Sequence, residues 1–308
     1  MITWGIDLGG TKVECIVINF KDNDFEILCR QRIPTEAFKG YEHILSQIIT
    51  LIQDISQKLS LTPNSLGIAT PGIFDLNTKS IKNANIQAIN GRNLSLDLEL
   101  LLGISIIHAN DANCFVLAET RLGVIKSLYS HKPKVVFGVI LGTGVGGGLV
   151  IDGKIHEGLH GIAGEWGHNV LDKEGDTCYC GKRGCVERFI SGTALEKYYF
   201  DNTHQTITFS EIYELHLKGE TEATNTVKRL ITYWGQAIAP VINLLDPEVI
   251  IIGGGLSNLD ILYEESFSYI APHIFNDRIE TKILKHTLGD SAGVIGAALL
   301  GNLEYIND

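Results

Sequence analysis

The chain begins as short apolar runs separated by glycine and polar breaks. "ITWGID" and "VECIVINF" flank "LGGTK", and "FEILCRQRIP" follows the polar "KDND", so the opening predicts an antiparallel set of strands. Over 41–59, Ile44, Leu45, Ile48, Leu51, Ile52 and Ile55 recur at the three- and four-residue spacing of one helix face. "SLGIATPG" predicts a buried strand ending in a Pro-Gly turn. "ISIIHAND" predicts another, leading into a helix over "ANCFVLAETRLG".

The same plan returns at "KVVFGVILGTGVGGGLVIDGKI", where two apolar strands again flank a glycine-rich turn. A long apolar helix containing Pro240, a strand at "EVIIIGGGLS" and a small-residue helix at "DSAGVIGAALLGNL" complete the pattern. Two related α/β halves predict two lobes around a cleft. The polar stretch "KSLYSHKPK" at 126–134 marks the change. The lobes are expected as 1–122 plus 290–308, and 123–289.

Composition narrows the function classes. Hydrophobic residues make up 44 % of the 308, charged residues 20 %, and the net charge is −11, with no basic stripe to neutralise nucleic-acid phosphates. There is no apolar run of about 18 residues to span a membrane. The N-terminus lacks a basic leader and places Asp7 where a signal peptide would be apolar. The expectation is a cytoplasmic protein without nucleic-acid or membrane partners. Cys15, Cys29 and Cys114 read as buried thiols, which suits a reducing compartment.

Three glycine turns each follow an apolar strand: Gly9-Gly10-Thr11-Lys12, Gly142-Thr143-Gly144 and Gly253-Gly254-Gly255. Such turns let backbone N–H groups approach an anion closely, although a tight hairpin needs glycine in any case. The letters G-x-G-x-x-G occur at 142–147, but strand residues follow them, which excludes a dinucleotide-binding reading. Together the three turns fit a nucleotide held across a cleft. Asp7 beside the first turn could orient Mg2+ through water; its plainer reading is a turn cap.

"HANDANC" sets Asn110 and Asp111 between a strand and a helix. Either residue suits an N-cap. Asp111 also suits a general base at the carboxyl end of a strand, where phosphoryl transfer would ask a carboxylate to take a hydroxyl proton. Both readings stand.

"CYCGKRGC" packs Cys178, Cys180 and Cys185 into eight positions, and His168 of "GEWGH" lies ten residues before the first. The four form a Cys3His set suited to structural Zn2+, and no open coordination position is implied. One ring nitrogen of His168 would go to the metal, leaving the other for a ligand or a second partner. Glu165 and Glu187 flank the loop and suit sugar hydroxyls, as acceptors with two oxygens each.

"GIDLGGTK", "NDANC", "LGTGVGGG", "GEWGH" and "CYCGKRGCVE" together resemble the ROK (repressor, open reading frame, kinase) family of sugar kinases, over nearly the full chain. "KNAN", "GEWGHN", "CYCGK" and "FISGT" look closest to bacterial fructokinases and mannokinases, with N-acetylglucosamine kinases close behind. The resemblance implies a two-lobed actin-like (ribonuclease H-like) fold, with ATP and sugar in the interlobe cleft. It implies Asp111 as the base, usually toward the 6-hydroxyl, and Asn110, Glu165, His168 and Glu187 as sugar ligands. It places phosphates on Gly9–Lys12 and Gly142–Gly144, adenosine near Gly253–Gly255, and suggests a homodimer. It also implies that 83–98, "NANIQAINGRNLSLDL", helps shape the sugar pocket, with Asn83, Asn85, Asn90, Gly91 and Arg92 as candidates for hydroxyl contact. The expected function is therefore ATP- and Mg2+-dependent phosphorylation of fructose, mannose or glucose. N-acetylglucosamine is the alternative substrate, and a non-catalytic sugar-sensing regulator the second alternative. The family's repressors carry an N-terminal helix-turn-helix module, and this sequence begins at the phosphate turn, which counts against DNA binding.

Overall fold

The computed structural model describes residues 1–21, 24–75, 77–129 and 131–302. Asp22 and Asn23 of the "KDND" break, Ser130 of the polar stretch and residues 303–308 lie outside them. The chain divides into two compact units: Met1–Lys132 with Gly153–Ala163 and Thr287–Asp308, and Pro133–Asp152 with Gly164–His286. The divisions fall at 132/133 and 286/287, where 122/123 and 289/290 were expected. Gly153–Ala163 joins the first unit, an excursion that nothing in the hydrophobic pattern announces.

In the first unit, β1 (Ile2–Leu8) pairs antiparallel with β2 (Lys12–Lys21), and β2 with β3 (Asp24–Pro34). On the other side β1 pairs parallel with β4 (Ser65–Thr70), and β4 with β7 (Ser105–Asn110). The sheet order is β3-β2-β1-β4-β7. Two short strands, β5 (Ile73–Asp75) and β6 (Ser80–Lys82), pair antiparallel after the Pro-Gly turn. The helix Tyr41–Leu59 buries the six apolar residues that the spacing predicts, together with Tyr41.

The second unit repeats this arrangement. β8 (Val135–Leu141) and β9 (Val145–Ile151) are an antiparallel hairpin. β11 (Val249–Gly253) runs parallel to β8, and β12 (Lys282–Lys285) parallel to β11. The short strand β10 (Lys154–Ile155) falls in the first unit's excursion. The helix Thr221–Leu245 buries Leu230, Trp234 and Ile238 among others, and carries Pro240 inside it on the exposed side. Among the described residues, no helix is long and apolar enough to cross a membrane.

The small-residue helix is Ala292–Leu300, and its packing explains its composition. Gly5 of β1 and Gly67 of β4 are register partners. A Cβ on Gly67 would lie 1.7 Å from the Ala297 carbonyl oxygen, and one on Gly5 2.4 Å from the Ala298 nitrogen. On its other side, a Cβ on Gly296 would lie 1.9 Å from the Cys114 carbonyl oxygen. Backbone thus rests on backbone, at an approach that no side chain permits.

Gly67→Ala should therefore lower the unfolding free energy by at least about 3 kcal/mol, the scale of severe overpacking. Gly103→Ala meets open space but needs a left-handed backbone (φ 71°), and should cost about 1–2 kcal/mol. Denaturant unfolding of both variants checks the ordering.

Candidate active site

Chemistry-bearing residues gather in each unit separately. In the first, β1 delivers Asp7 to the glycine turn. Gly9 N–H donates to the Lys12 carbonyl at 2.9 Å. Thr35, fully buried, ties the turn from outside: its hydroxyl donates to Gly9 O at 2.6 Å and its N–H to Thr11 O at 3.0 Å. Gly10 stays exposed. No local signal marks Thr35, because β3 returns beside the turn only once the sheet is formed.

Asp7 stands opposite Glu14 in the β1–β2 register, a like-charge pair that destabilises unless compensated. Glu14 is buried and ion-paired to the guanidinium groups of Arg30 and Arg32, the latter at 2.8 Å. Arg32 also reaches Asp290 at 2.7 Å, which holds the Asp290 carboxyl below its ordinary range. The Asp7 carboxyl is pushed up to about 7 by burial, reinforced by the charges of Asp111 and Glu14 and opposed by Lys12 and Arg32. A Cβ on Gly293 would come within 3.0 Å of Asp7 Oδ2. A buried carboxylate raised by a second one is a donor set that a hydrated divalent cation would relieve.

At the end of β7 the two readings of "HAND" separate by residue. Asn110 is the N-cap of the helix Asp111–Arg121, its Oδ1 accepting from Ala112 N at 2.9 Å and Asn113 N at 3.3 Å. Its Nδ2 donates to Gly72 O at 3.0 Å, joining β7 to the Pro-Gly turn. Asp111 is the first helical residue, so its carboxylate lies at the positive end of the helix. The far end is held by fully buried Glu119, which accepts from Val124 N at 3.0 Å and Leu288 N at 2.7 Å.

The segment 83–92 sorts its candidates too. Asn90 spends both ends of its amide on Ala84, at 2.9 Å each, and so shapes the loop. Arg92 packs over the Tyr41 ring at 4.9 Å. Asn85 and Gly91 are exposed, Gly91 in the left-handed region (φ 77°) with its N–H on Ile81 O at 2.8 Å.

In the second unit, the turn Gly142–Gly144 is gripped by residues about fifty positions onward. Gly192 N–H donates to Gly142 O at 2.7 Å and the Thr193 hydroxyl to Thr143 O at 2.7 Å. Val145 N–H donates to Glu187 Oε2 at 3.0 Å. A Cβ on Gly144 would meet that same oxygen at 2.6 Å. Glu187 begins the short helix Glu187–Ile190, a helical setting that its glycine-rich neighbours did not predict. Strand β9 follows the turn, in keeping with the exclusion of a dinucleotide fingerprint. At the end of β11, Gly254 takes φ 84°, and a Cβ there would lie 2.3 Å from Leu141 O. Gly253 closes the strand and Gly255 opens a single turn over Gly255–Asn258.

Trp166 anchors "GEWGH". Its ring is buried edge-on against Phe137 and Trp234, with centroids 6.0 Å away in each case, and its Nε1 donates to Gly146 O at 2.9 Å. Glu165 and His168 flank this anchor. Burial pushes the Glu165 carboxyl up and the nearby Glu187 adds to this, while His168 opposes it. The ligand atoms of His168, Cys178, Cys180 and Cys185 all lie within 4.8 Å of one another. Gly184 (φ 68°) makes the loop possible, since a Cβ there would stand 1.5 Å from Asp172 O. His168 Nδ1 is 3.5 Å from Cys178 Sγ, and its Nε2 is 2.9 Å from the Tyr179 hydroxyl. One imidazole nitrogen thus faces the thiols and the other is met by Tyr179, a partner the sequence reading did not name.

With this geometry established, comparison with known proteins is informative. The ROK family profile matches residues 3–303. The chain is 36 % identical over 307 residues to the N-acetyl-D-glucosamine kinase of Photobacterium profundum, covering 96 % of this chain and 98 % of that protein. Among solved structures it is similar to a ROK hexokinase from Thermus thermophilus (TM-score 0.86, 27 % identity, 100 % of both chains). It is also similar to a ROK family glucokinase from Streptomyces griseus in complex with glucose and AMPPNP (TM-score 0.79, 26 % identity, 98 % of this chain and 99 % of that one). The chain belongs to the ROK family. Its fold is the actin-like ATPase fold of that family, and its class is sugar kinase.

The grip on the second turn can be tested without any ligand. Glu187→Ala leaves the Val145 N–H without its acceptor and should cost about 1–3 kcal/mol of unfolding free energy. Thr193→Val removes one neutral hydrogen bond and should cost about 1 kcal/mol. Urea unfolding reads both.

Proposed function

We propose that the chain transfers the γ-phosphoryl group of ATP to the 6-hydroxyl of N-acetylglucosamine. The observation that carries this reading is Asp111, a carboxylate at the carboxyl end of a parallel strand whose helix is capped by its neighbour Asn110. In this reading Asp111 accepts the proton of the attacking hydroxyl as the new O–P bond forms. The β,γ-bridging O–P bond breaks and ADP leaves. The turns Gly9–Lys12 and Gly142–Gly144 hold phosphate oxygens, and Gly253–Gly255 lies against adenosine. Asn85, Gly91, Asn110, Glu165, His168 and Glu187 orient the sugar, with Tyr179 yielding His168 Nε2 to a hydroxyl. Asp7 would hold Mg2+, which when bound would spread the phosphate charge. His168, Cys178, Cys180 and Cys185 would hold Zn2+, which would fix the loop that aims Glu165 and Glu187.

The alternative sugar now stands ahead of the main expectation. The relative at 36 % identity is named for N-acetylglucosamine, whereas the hexokinase and glucokinase structures stand at 27 % and 26 %. Assembly as a homodimer is part of the same proposal, and light scattering of the purified protein tests it.

ADP release measured with N-acetylglucosamine, N-acetylmannosamine, glucose, mannose and fructose tests the substrate. The expected result is a kcat/KM for N-acetylglucosamine at least about tenfold above the others. Preference for fructose, mannose or glucose would restore the hexose reading, and absence of sugar-dependent ADP release would leave a sensor. Asp111→Asn should lower kcat at least about a hundredfold, the range of a lost general base, with unfolding unchanged. Metal analysis should find one zinc per chain, and Cys180→Ser should lose it together with about 2 kcal/mol or more of stability.

A further inference from the structure

Beside β7, the first unit contains a cavity of about 700 Å³ that includes none of the residues assigned to sugar, nucleotide or metal. Its volume is that of a pocket for a drug-sized molecule, within the usual ~300–1,000 Å³. Ile107, Leu117, Ile155, Leu159, Leu299 and Leu300 supply aliphatic walls. Among the described residues the charged lining is Arg121, Lys154 and Glu157, with His156 beside them. Arg121 is fixed in place: its Nε donates to Gly153 O at 3.0 Å, and its guanidinium lies where a Cβ on Gly153 would be 3.3 Å away. Lys154 is exposed at the rim. His108 adds no charge, since burial lowers its imidazole to about 4, and its Nε2 lies 2.7 Å from the Thr70 hydroxyl.

The lining selects a ligand class. Among the described residues it offers one carboxylate and no amide side chain, too few acceptors to read a second sugar's hydroxyls. Among them there is also no Phe, Tyr or Trp on which a nucleobase could stack. Six aliphatic side chains with two cations against one acid among the described residues suit an apolar body carrying a single negative head, and do so in a chain whose net charge is −11. The walls are also the supports of Asp111. Ala109 lies two residues before it on β7, and Leu117 and Arg121 belong to the helix that Asp111 begins.

We propose that this cavity binds an aliphatic carboxylate, and that its occupancy alters turnover at Asp111. The binding claim stands apart from the proposed kinase activity; the effect on turnover rests on it. Decanoate titrated calorimetrically into the full chain should bind saturably, one per chain, and displace 8-anilinonaphthalene-1-sulfonate. Ile155→Trp, which fills the cavity, and Lys154→Glu, which reverses the rim charge, should each weaken binding at least about tenfold. Neutral decanol should bind more weakly than decanoate. With sugar and ATP, decanoate should change kcat or KM at least about twofold in the wild type and not in Ile155→Trp. Absence of saturable binding, or equal affinity in the wild type and both variants, would overturn the site. Binding with unchanged kcat and KM would overturn its coupling to Asp111. Because Lys154 is exposed, its variant reads the rim charge even if the filled variant fails to fold.

Discussion

The close approach of the helix Ala292–Leu300 to the first unit's sheet is the contact on which the rest of that unit depends. Gly5 and Gly67 form a flat patch at the centre of the sheet, and Gly296 opens the helix's other side to the helix Asp111–Arg121. One element therefore sets the height of β1, which delivers Asp7, and of the helix that Asp111 begins. Gly293, at the start of the same helix, leaves room for the Asp7 carboxylate. A methyl group at any of these glycines would separate surfaces that now touch through their backbones. The two acidic groups would then lose the spacing at which each feels the other's charge.

That proximity is electrostatically costly, and the surroundings show how it is tolerated. Asp7 faces Glu14 across the hairpin, and Glu14 is neutralised by Arg30 and Arg32, which are in turn shared with Asp290. The arginines thus neutralise Glu14, and Arg32 with Lys12 also tempers the charge that Asp111 and Glu14 place on Asp7. Removing either arginine would leave the buried Glu14 less compensated, which costs more than the net worth of an ion pair. In the second unit the corresponding stiffness comes from apolar packing and backbone geometry. Trp166 is sunk among Phe137 and Trp234, and the Cys3His loop closes through a left-handed Gly184. Glu165 and His168 therefore project from a rigid base, although their segment has only one short turn of regular structure.

How far the sequence spoke for itself varies from element to element. The helix Tyr41–Leu59 and its buried face follow from periodicity, because a single amphipathic face needs no knowledge of its partner. The two hairpins were readable as a repeat for the same reason, and the repeat proves to extend to the parallel strands β4, β7, β11 and β12. Asn110 and Asp111 were readable as a pair but not as individuals, since cap and first helical residue differ by one position. Asn90 looked as available to a ligand as Asn85 and turned inward to its own loop instead.

The amino-acid sequence by itself determined the elements, the three glycine turns, the Cys3His spacing and the family, because each is written in local pattern or in short motifs. Only the tertiary structure decided what holds those motifs in place. Thr35 on the first turn, Thr193 and Glu187 on the second, Glu119 behind Asp111 and Tyr179 on His168 are all such choices. Most of them join residues far apart along the chain. Tyr179 and His168 are only eleven apart, and there the fold of the cysteine loop decides. A buried hydrogen bond is satisfied by whichever group strand register and backbone approach bring within about 3 Å, a distance that no spacing in the sequence encodes.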